Sequence, residues 1–210
     1  MTELWQNMLR DMPLVAILRG LKPEEAIDVA NALKDAGFLC LEIPLNSPDP
    51  FRSVELLTKA FGGQLLIGTG TVLTEADVTA SQNAGAQFIV SPNMNPVVIR
   101  ATKAAGMLSL PGFATPSEAF AAIDAGADAL KLFPAEAVSP AALRAMKAVL
   151  PVACPVFPVG GITRNNMTDY HAAGAAGFGI GSSIYRSGVT ASAVRERAAA
   201  FVQAWRNLRR

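Results

Sequence analysis

The sequence is poor in the residues on which metal sites, disulfide scaffolds and nucleic-acid surfaces depend. Its 210 residues include one histidine, His171, and two cysteines, Cys40 and Cys154, and the formal net charge is +1. The cysteines lack the spacing of a metal or redox motif, so we interpret them as small buried apolar side chains. A lone histidine argues against a His-based metal site, and a near-neutral charge argues against a nucleic-acid partner. The sequence therefore predicts a protein that needs no metal, cofactor or nucleic acid.

No long apolar run occurs near the amino terminus. Residues 1–13 carry Glu3 and Asp11, which argues against both a secretory signal and a membrane-spanning segment. Instead, Trp5, Met8 and Leu9 predict a short helix that closes one end of the fold. No proline- or serine-rich linker divides the chain, so we expect a single domain over residues 1–210, in the cytoplasm and without a membrane partner.

An Ala-Gly dipeptide recurs along the chain, with its glycine at Gly37, Gly85, Gly106, Gly126 and Gly174. Each follows an amphipathic segment, and glycine supplies the left-handed turn that ends a helix. Apolar runs predict eight strands, over residues 15–20, 40–45, 65–72, 87–93, 108–113, 127–133, 155–162 and 177–181. Helical patterns lie between them, for example over 23–36, 75–84, 96–105, 117–125 and 140–150. This alternation predicts a parallel α/β fold, a (β/α)8 TIM barrel, with an open doubly wound sheet as the alternative.

Lys131 stands out because it interrupts the apolar run of the sixth predicted strand. A buried ammonium group is costly, so such a lysine must be paired, reach the rim of the fold, or be kept neutral as an amine. A neutral amine is a nucleophile, which makes the third option a chemical one. An ion pair remains the structural alternative.

Other polar residues also lie in or directly after the predicted strands, where the active sites of such barrels are found. Arg19 closes the first apolar run and is interpreted as an anion-binding residue, with a surface ion pair as the alternative. Glu42 lies within the second strand, either as a proton-transfer group or as a partner for a buried cation. The Gly160-Gly161 pair and the segment 181–183 follow the seventh and eighth strands, which is the usual position of a phosphate site.

Six motifs in order give the chain a family resemblance. They are ILRG (17–20), EIPLNS (42–47), GTGTV (68–72), SPN (91–93), LKLFP (130–134) and VGGI (159–162). Together they resemble the class I aldolases that cleave 2-keto-3-deoxy-6-phospho sugar acids, and the resemblance spans nearly the whole chain. Within that family, Asn46, Ser47 and Val159 resemble the 6-phosphogalactonate branch. The 6-phosphogluconate branch usually has arginine, threonine and threonine at these positions.

The resemblance implies a metal-independent aldolase that forms pyruvate and glyceraldehyde 3-phosphate, and it implies a homotrimer. Lys131 would form a Schiff base with the C2 ketone, and Glu42 would transfer protons. The implied substrate-binding residues are Arg19 and Thr71 for the pyruvyl carboxylate, Phe133 over the reacting carbon, Pro92 in the pocket wall, and Gly160, Gly161, Ser182 and Ser183 for the phosphate.

Three other functions remain open at this point. The substrate could be the 6-phosphogluconate epimer, or both epimers. Barrels with the same phosphate position also serve as sugar-phosphate isomerases or epimerases, since a fold alone does not select a reaction. A non-catalytic sugar-phosphate sensor would keep the pocket, but it would have no need of an amine in a strand.

Overall fold

Strands and helices alternate along the chain, as the sequence predicted. A computed structural model describes residues 3–209. The α-helices are α1 Glu3–Asp11, α2 Pro23–Ala36, α3 Pro50–Phe61, α4 Glu75–Asn83, α5 Pro96–Ala104, α6 Pro116–Asp124, α7 Pro140–Lys147, α8 Met167–Ala172 and α9 Ala191–Leu208. The strands are β1 Leu14–Ile17, β2 Cys40–Pro44, β3 Leu66–Gly70, β4 Phe88–Val90, β5 Leu108–Leu110, β6 Gly112–Phe113, β7 Leu130–Leu132, β8 Val156–Pro158 and β9 Phe178–Ile180. A short 3-10 helix occupies Ala135–Ala137.

The strands pair in parallel in two sheets. One sheet has the order β5-β4-β3-β2-β1-β9 and the other the order β6-β7-β8. A single parallel bridge, between Val159 and Gly179, joins the end of β8 to β9. The architecture is therefore a parallel α/β fold, in which consecutive strands, apart from β5 and β6, are connected through helices.

The prediction of eight strands is wrong for the described residues, which contain nine. The predicted fifth strand, 108–113, is divided at Pro111 into β5 and β6, because proline has no N–H to donate to a ladder. The carbonyl of Pro111 still accepts a hydrogen bond of 2.9 Å from the Lys131 N–H. Most of the other predicted strands are also too long, since their apolar runs extend into the loops that follow.

Helix ends explain why these segments are helical. Thr74 and Thr115 each accept a hydrogen bond from the third residue of their helix, whose carboxylate bonds back, which satisfies free backbone N–H groups. At the other end, all five glycines of the Ala-Gly dipeptides have positive φ, for example 106° at Gly37. The predicted left-handed turns are therefore confirmed.

The strands bury both faces, against different partners. Residues such as Leu41, Ile43 and Leu130 pack against the helices, while alternate strand residues point to the opposite side. There they form a second apolar cluster with α1, which we call the floor: Trp5, Met8, Val15, Cys40, Leu66, Phe88, Val90, Leu108, Leu110, Ala129 and Phe157. Trp5 and Met8 are fully buried, so the prediction of a short amino-terminal helix that closes one end is confirmed.

Three observations concern membrane-spanning helices, metal sites, and the cysteine and histidine side chains. No helix within residues 3–209 is long and apolar enough to cross a membrane. In the same part of the chain, no three His, Cys, Asp or Glu side chains group together as a metal site would need. Cys40 and Cys154 are buried and free, and His171 packs edge-on against Trp205 at 5.2 Å between ring centroids.

Candidate active site

Glu42 and Lys131 lie directly above the floor. Each follows a floor residue by two positions, Cys40 on β2 and Ala129 before β7, and a period of two keeps them on the same face of the strands. Glu42 is 2% exposed and Lys131 is 5% exposed. The alternation that builds an apolar floor therefore also places a carboxylate and an amine in the buried interior.

Burial sets the state of the Lys131 amine. Removal from water lowers the pKa of Lys131, the charge of Glu42 opposes this shift, and the charge of Arg19 adds to it. The Nζ atom also lies 4.9 Å from the centroid of the Phe133 ring. A lowered pKa increases the fraction of neutral amine near neutral pH, which is the nucleophilic form.

Glu42 experiences the complementary environment. Burial raises the pKa of Glu42, while the charges of Lys131 and Arg19 lower it. Its Oε1 atom is buried and accepts no hydrogen bond from the described residues. A Cβ at Gly70 would overlap this oxygen, so the glycine makes room for the carboxylate. A protonatable carboxylate with a free oxygen is suited to exchanging protons with a bound molecule.

Asp128, the other carboxylate near this lysine in sequence, has a different environment. Its Oδ2 atom lies 2.6 Å from the Lys103 Nζ and accepts a hydrogen bond of 2.8 Å from the Ser109 N–H. Asp128 precedes β7, on the side opposite to the loops that follow the strands. Its oxygens are thus occupied in fixing structure, and Glu42 remains the carboxylate that shares the interior with Lys131.

The loops after β1 and β2 are joined by two hydrogen bonds. Arg19 Nη1 donates to Asn46 Oδ1, and the Gly20 N–H donates to Ser47 Oγ at 2.9 Å. Arg19 is exposed at the rim, yet its charge lowers the pKa values of both Glu42 and Lys131. Asn46 therefore orients the guanidinium group, while Ser47 fixes the backbone that follows Arg19.

A cavity of about 330 Å³ opens beside this pair. It is lined by Ile17, Arg19, Phe133, Val159, Gly160, Gly181, Ser182, Ser183, Tyr185, Arg186 and Ser187. Five of the ten residues predicted for the site are in this lining: Arg19, Phe133, Gly160, Ser182 and Ser183. Lys131 and Glu42 lie outside the lining, and the Phe133 ring, which contacts the Lys131 amine, connects the two regions.

Thr71, Pro92 and Gly161 also lie outside this lining. Thr71 follows β3 with φ at 60°, a conformation that is uncommon for a residue with a side chain. Pro92 follows β4, and its carbonyl oxygen lies so close to Gly112 that a Cβ there would overlap it. Both are half-buried at the ends of strands, so the structure places them at the expected edge without bringing them into the cavity.

Two observations explain why glycine occupies both positions of the Gly160-Gly161 pair. Gly160 and Gly161 have φ values of 101° and 60°, which favour glycine. A Cβ at either position would also overlap the Glu136 side chain. Ser183 Oγ donates to the carbonyl of Ile162 at 3.1 Å, which links this loop to the loop after β9. Residues without side chains leave backbone N–H groups accessible to an anion.

The sequence prediction missed other cavity residues, of which Arg186 and Tyr185 are the most informative. Arg186 follows the predicted Gly181-Ser182-Ser183 segment in the same loop, and this proximity was the available signal. Arg186 Nε donates to the Ser182 carbonyl at 3.1 Å, and Tyr185 Oη donates to Glu25 Oε1 at 2.8 Å. Both contacts depend on how the loop folds, which a motif does not express.

A buried amine beside a buried carboxylate, next to a cavity that carries guanidinium and hydroxyl groups, defines an enzyme of the lysine-dependent lyase class. A family model described as "Aldolase: KDPG and KHG aldolase" matches residues 5–199. The chain belongs to this family of aldolases, as its motifs predicted. It is therefore a carbon–carbon lyase.

Curated relatives agree with this assignment. A protein of Escherichia coli (strain K12) named 2-dehydro-3-deoxy-6-phosphogalactonate aldolase is 48% identical over 202 residues, covering 96% of this chain and 97% of the relative. A protein of Rhizobium meliloti (strain 1021), named as a probable aldolase of the same kind, is 50% identical over 195 residues, covering 93% and 92%. The predicted branch of the family therefore matches the names of these relatives.

Solved structures are similar over the same length. One described as "Native KDPGal structure" superposes with a TM-score of 0.92 at 47% identity, covering 94% of this chain and 96% of the other. The KDPG aldolase of Legionella pneumophila superposes with a TM-score of 0.81 at 29% identity, covering 92% and 95%. That structure holds pyruvate as a covalent carbinolamine intermediate.

Proposed function

We propose that this aldolase reversibly cleaves 2-dehydro-3-deoxy-6-phosphogalactonate into pyruvate and glyceraldehyde 3-phosphate, through a Schiff base on Lys131. The observation that carries the proposal is the Lys131 amine itself, buried, lowered in pKa and within the field of the Glu42 carboxylate. The names of relatives at 48% and 50% identity support the choice of substrate.

The chemistry follows from the two buried groups. The neutral Lys131 amine attacks the C2 ketone, and loss of water gives a protonated Schiff base. This group accepts the electron pair released when the C3–C4 bond breaks, so that an enamine forms in place of an unstabilised carbanion. Glu42 takes the proton from the C4 hydroxyl and exchanges protons around C2 as water leaves and returns.

The remaining site residues orient the substrate in this proposal. Arg19 and Thr71 hold the pyruvyl carboxylate, Arg19 by charge-assisted hydrogen bonds. Phe133 packs over the reacting carbon, as its contact with the Lys131 amine favours, and Pro92 forms part of the wall.

The phosphate is assigned to the opposite end of the cavity, where Gly160, Gly161, Ser182 and Ser183 bind it. Its binding energy then orients the bond to be broken.

The finer architecture is also part of the proposal. We propose that the strands close into one (β/α)8 barrel, with β5 and β6 as two halves of one barrel strand; of the predicted domain 1–210, residues 1–2 and 210 lie outside the described residues. The bridge between Val159 and Gly179 supports closure between β8 and β9. A homotrimer is proposed from the family resemblance, and light scattering in solution tests it. The cytoplasmic location stays a prediction.

A coupled assay of pyruvate release tests the substrate. The galactonate epimer should be cleaved with a higher kcat/KM than 2-dehydro-3-deoxy-6-phosphogluconate. A preference for the gluconate epimer would contradict the proposal, and comparable values would make the enzyme dual-specific.

Borohydride trapping tests the Schiff base. Reduction in the presence of pyruvate should leave a stable adduct on Lys131, seen by mass spectrometry of peptides. Lys131→Met should abolish both the adduct and cleavage, whereas Lys59→Met, at an exposed position on α3, should preserve both. Cleavage by Lys131→Met at the wild-type rate would remove Lys131 from the mechanism.

A further inference from the structure

The cavity is lined by two guanidinium groups and by no carboxylate among the described residues, although the Glu136 side chain packs against Gly160 from outside the lining. Arg19 and Arg186 both line it. Neither takes part in an ion pair with a carboxylate of residues 3–209. Unneutralised cations that share one cavity favour an anionic ligand, and two of them favour a ligand with two anionic groups.

The Arg186 side chain is held in a defined orientation. Its Nε atom donates to the Ser182 carbonyl at 3.1 Å. Because Nε is occupied, the donors left for a ligand are those of Nη1 and Nη2, at the end of the planar group. The Nη1 and Nη2 donors, approached end-on, match the spacing of two phosphate oxygens.

The loop that carries Arg186 is fixed by its own contacts. The Ile184 and Tyr185 N–H groups both donate to the Gly181 carbonyl, at 2.9 and 3.0 Å. The Val189 N–H donates to the Arg186 carbonyl at 3.0 Å. Tyr185 is buried, and its hydroxyl donates to Glu25 on α2, which anchors the loop to a helix. Arg186 therefore extends from a rigid turn, and binding would cost little loop ordering.

The two arginines have different neighbours. The charge of Arg19 lowers the pKa values of Glu42 and Lys131, so Arg19 lies close to the reacting groups. Arg186 is not among the charges that shift either pKa. It contacts Ser182, which the proposed function assigns to the phosphate.

We propose that Arg186 binds the substrate's phosphate end-on and makes the enzyme selective for phosphorylated aldehydes. This inference rests on the proposed function, because it assumes that the ligand carries a carboxylate at one end and a phosphate at the other. Arg19 and Arg186 then bind the two anionic groups at opposite ends of one molecule. The enzyme then selects phosphorylated aldehydes, because an aldehyde without a phosphate leaves the Nη1 and Nη2 donors of Arg186 without a hydrogen-bond acceptor.

The condensation direction gives the sharpest test, since the aldehyde can be varied while pyruvate stays the same. With glyceraldehyde 3-phosphate, Arg186→Gln should raise KM about 10- to 100-fold, the usual value of hydrogen bonds to charged groups. With unphosphorylated glyceraldehyde, kcat/KM should be unchanged. Arg186→Lys should recover part of the loss, because it restores the charge but not the fork. Arg195→Gln, on the exposed face of α9, removes the same charge as a control and should behave as wild type.

Borohydride trapping with pyruvate separates this inference from the proposed function. If wild type forms no adduct, the Schiff-base proposal fails whatever Arg186 does. If wild type and Arg186→Gln both form the adduct, but the variant loses no affinity for the phosphorylated aldehyde, the role of Arg186 is refuted. Equal losses with both aldehydes would also refute it, since they would indicate a structural role.

Discussion

Replacement of Glu42 by glutamine tests whether the two buried groups, Glu42 and Lys131, have separate roles. The variant removes one charge and one proton-transfer site while it keeps the shape of the side chain. Glu42 is 2% exposed and its Oε1 atom accepts no hydrogen bond from the described residues, so few native contacts are lost. General acid–base catalysis is worth about 10²- to 10⁴-fold in rate, and we expect kcat for cleavage to fall by that factor.

Adduct formation should respond in another way. The charge of Glu42 raises the pKa of Lys131, and its removal therefore lowers that pKa further. The neutral amine is then present at more acidic pH than in wild type. Borohydride trapping of pyruvate after Schiff-base formation has reached equilibrium, followed by mass spectrometry across a pH series, should show the adduct of Glu42→Gln extending to lower pH, even though turnover is reduced.

The same substitution should change how stability depends on pH. Burial raises the pKa of Glu42 in the folded state, so the folded state binds more protons than the unfolded state above the ordinary value of 4.5. Wild type therefore loses stability as pH rises from that value through the raised pKa. Glu42→Gln lacks this loss, so its melting temperature relative to wild type should increase over the same window.

The control is Glu24→Gln, at an exposed carboxylate on α2, which should leave turnover and trapping unchanged. Equal loss of adduct formation and turnover in Glu42→Gln would contradict separate roles for Glu42 and Lys131. A shift of trapping to more alkaline pH would contradict the expected pKa change of Lys131, because the Coulombic effect of Glu42 on Lys131 would then have the opposite sign.

Two further predictions concern the loop and the floor. Gly160→Ala should raise KM for the phosphorylated aldehyde in the condensation assay, because φ is 101° and Glu136 occupies the space of a Cβ; unchanged KM would separate this loop from phosphate binding. Trp5→Ala should lower the free energy of unfolding by about 3–5 kcal/mol in urea titrations, since the ring is fully buried and packs on Phe157 at 6.4 Å; a loss below about 1 kcal/mol would mean that α1 does not close the floor.

The sequence predicted the elements that depend on local pattern. Prolines and capping residues start the helices, and the glycines after alanine end them, so helix bounds agree within a few residues. The sequence prediction missed the break at Pro111, although the lack of a proline N–H implies it, because the apolar residues on both sides of the proline fit a single strand.

The site residues also differ in how far the local sequence pattern predicts them. Glu42 and Lys131 could be recognised because each is a charged residue within an apolar run of the sequence. The contacts of Arg19 with Asn46 and of Arg186 with Ser182 depend on loop geometry. Position after a strand identified Arg19, and proximity to Gly181-Ser182-Ser183 was the signal for Arg186, but neither indicates which group holds each guanidinium in place.

The floor limits the directions from which molecules can reach Lys131. Trp5, Phe157 and their neighbours fill the space beneath Lys131 and leave it approachable from the side of the strand-end loops. In the proposed mechanism, the substrate, the water released on Schiff-base formation and both products would then pass through the same side of the fold. The aldehyde would leave while pyruvate is still attached to Lys131, and water would then enter to release the pyruvate. An ordered sequence of departures is thus a result of apolar packing at the closed end.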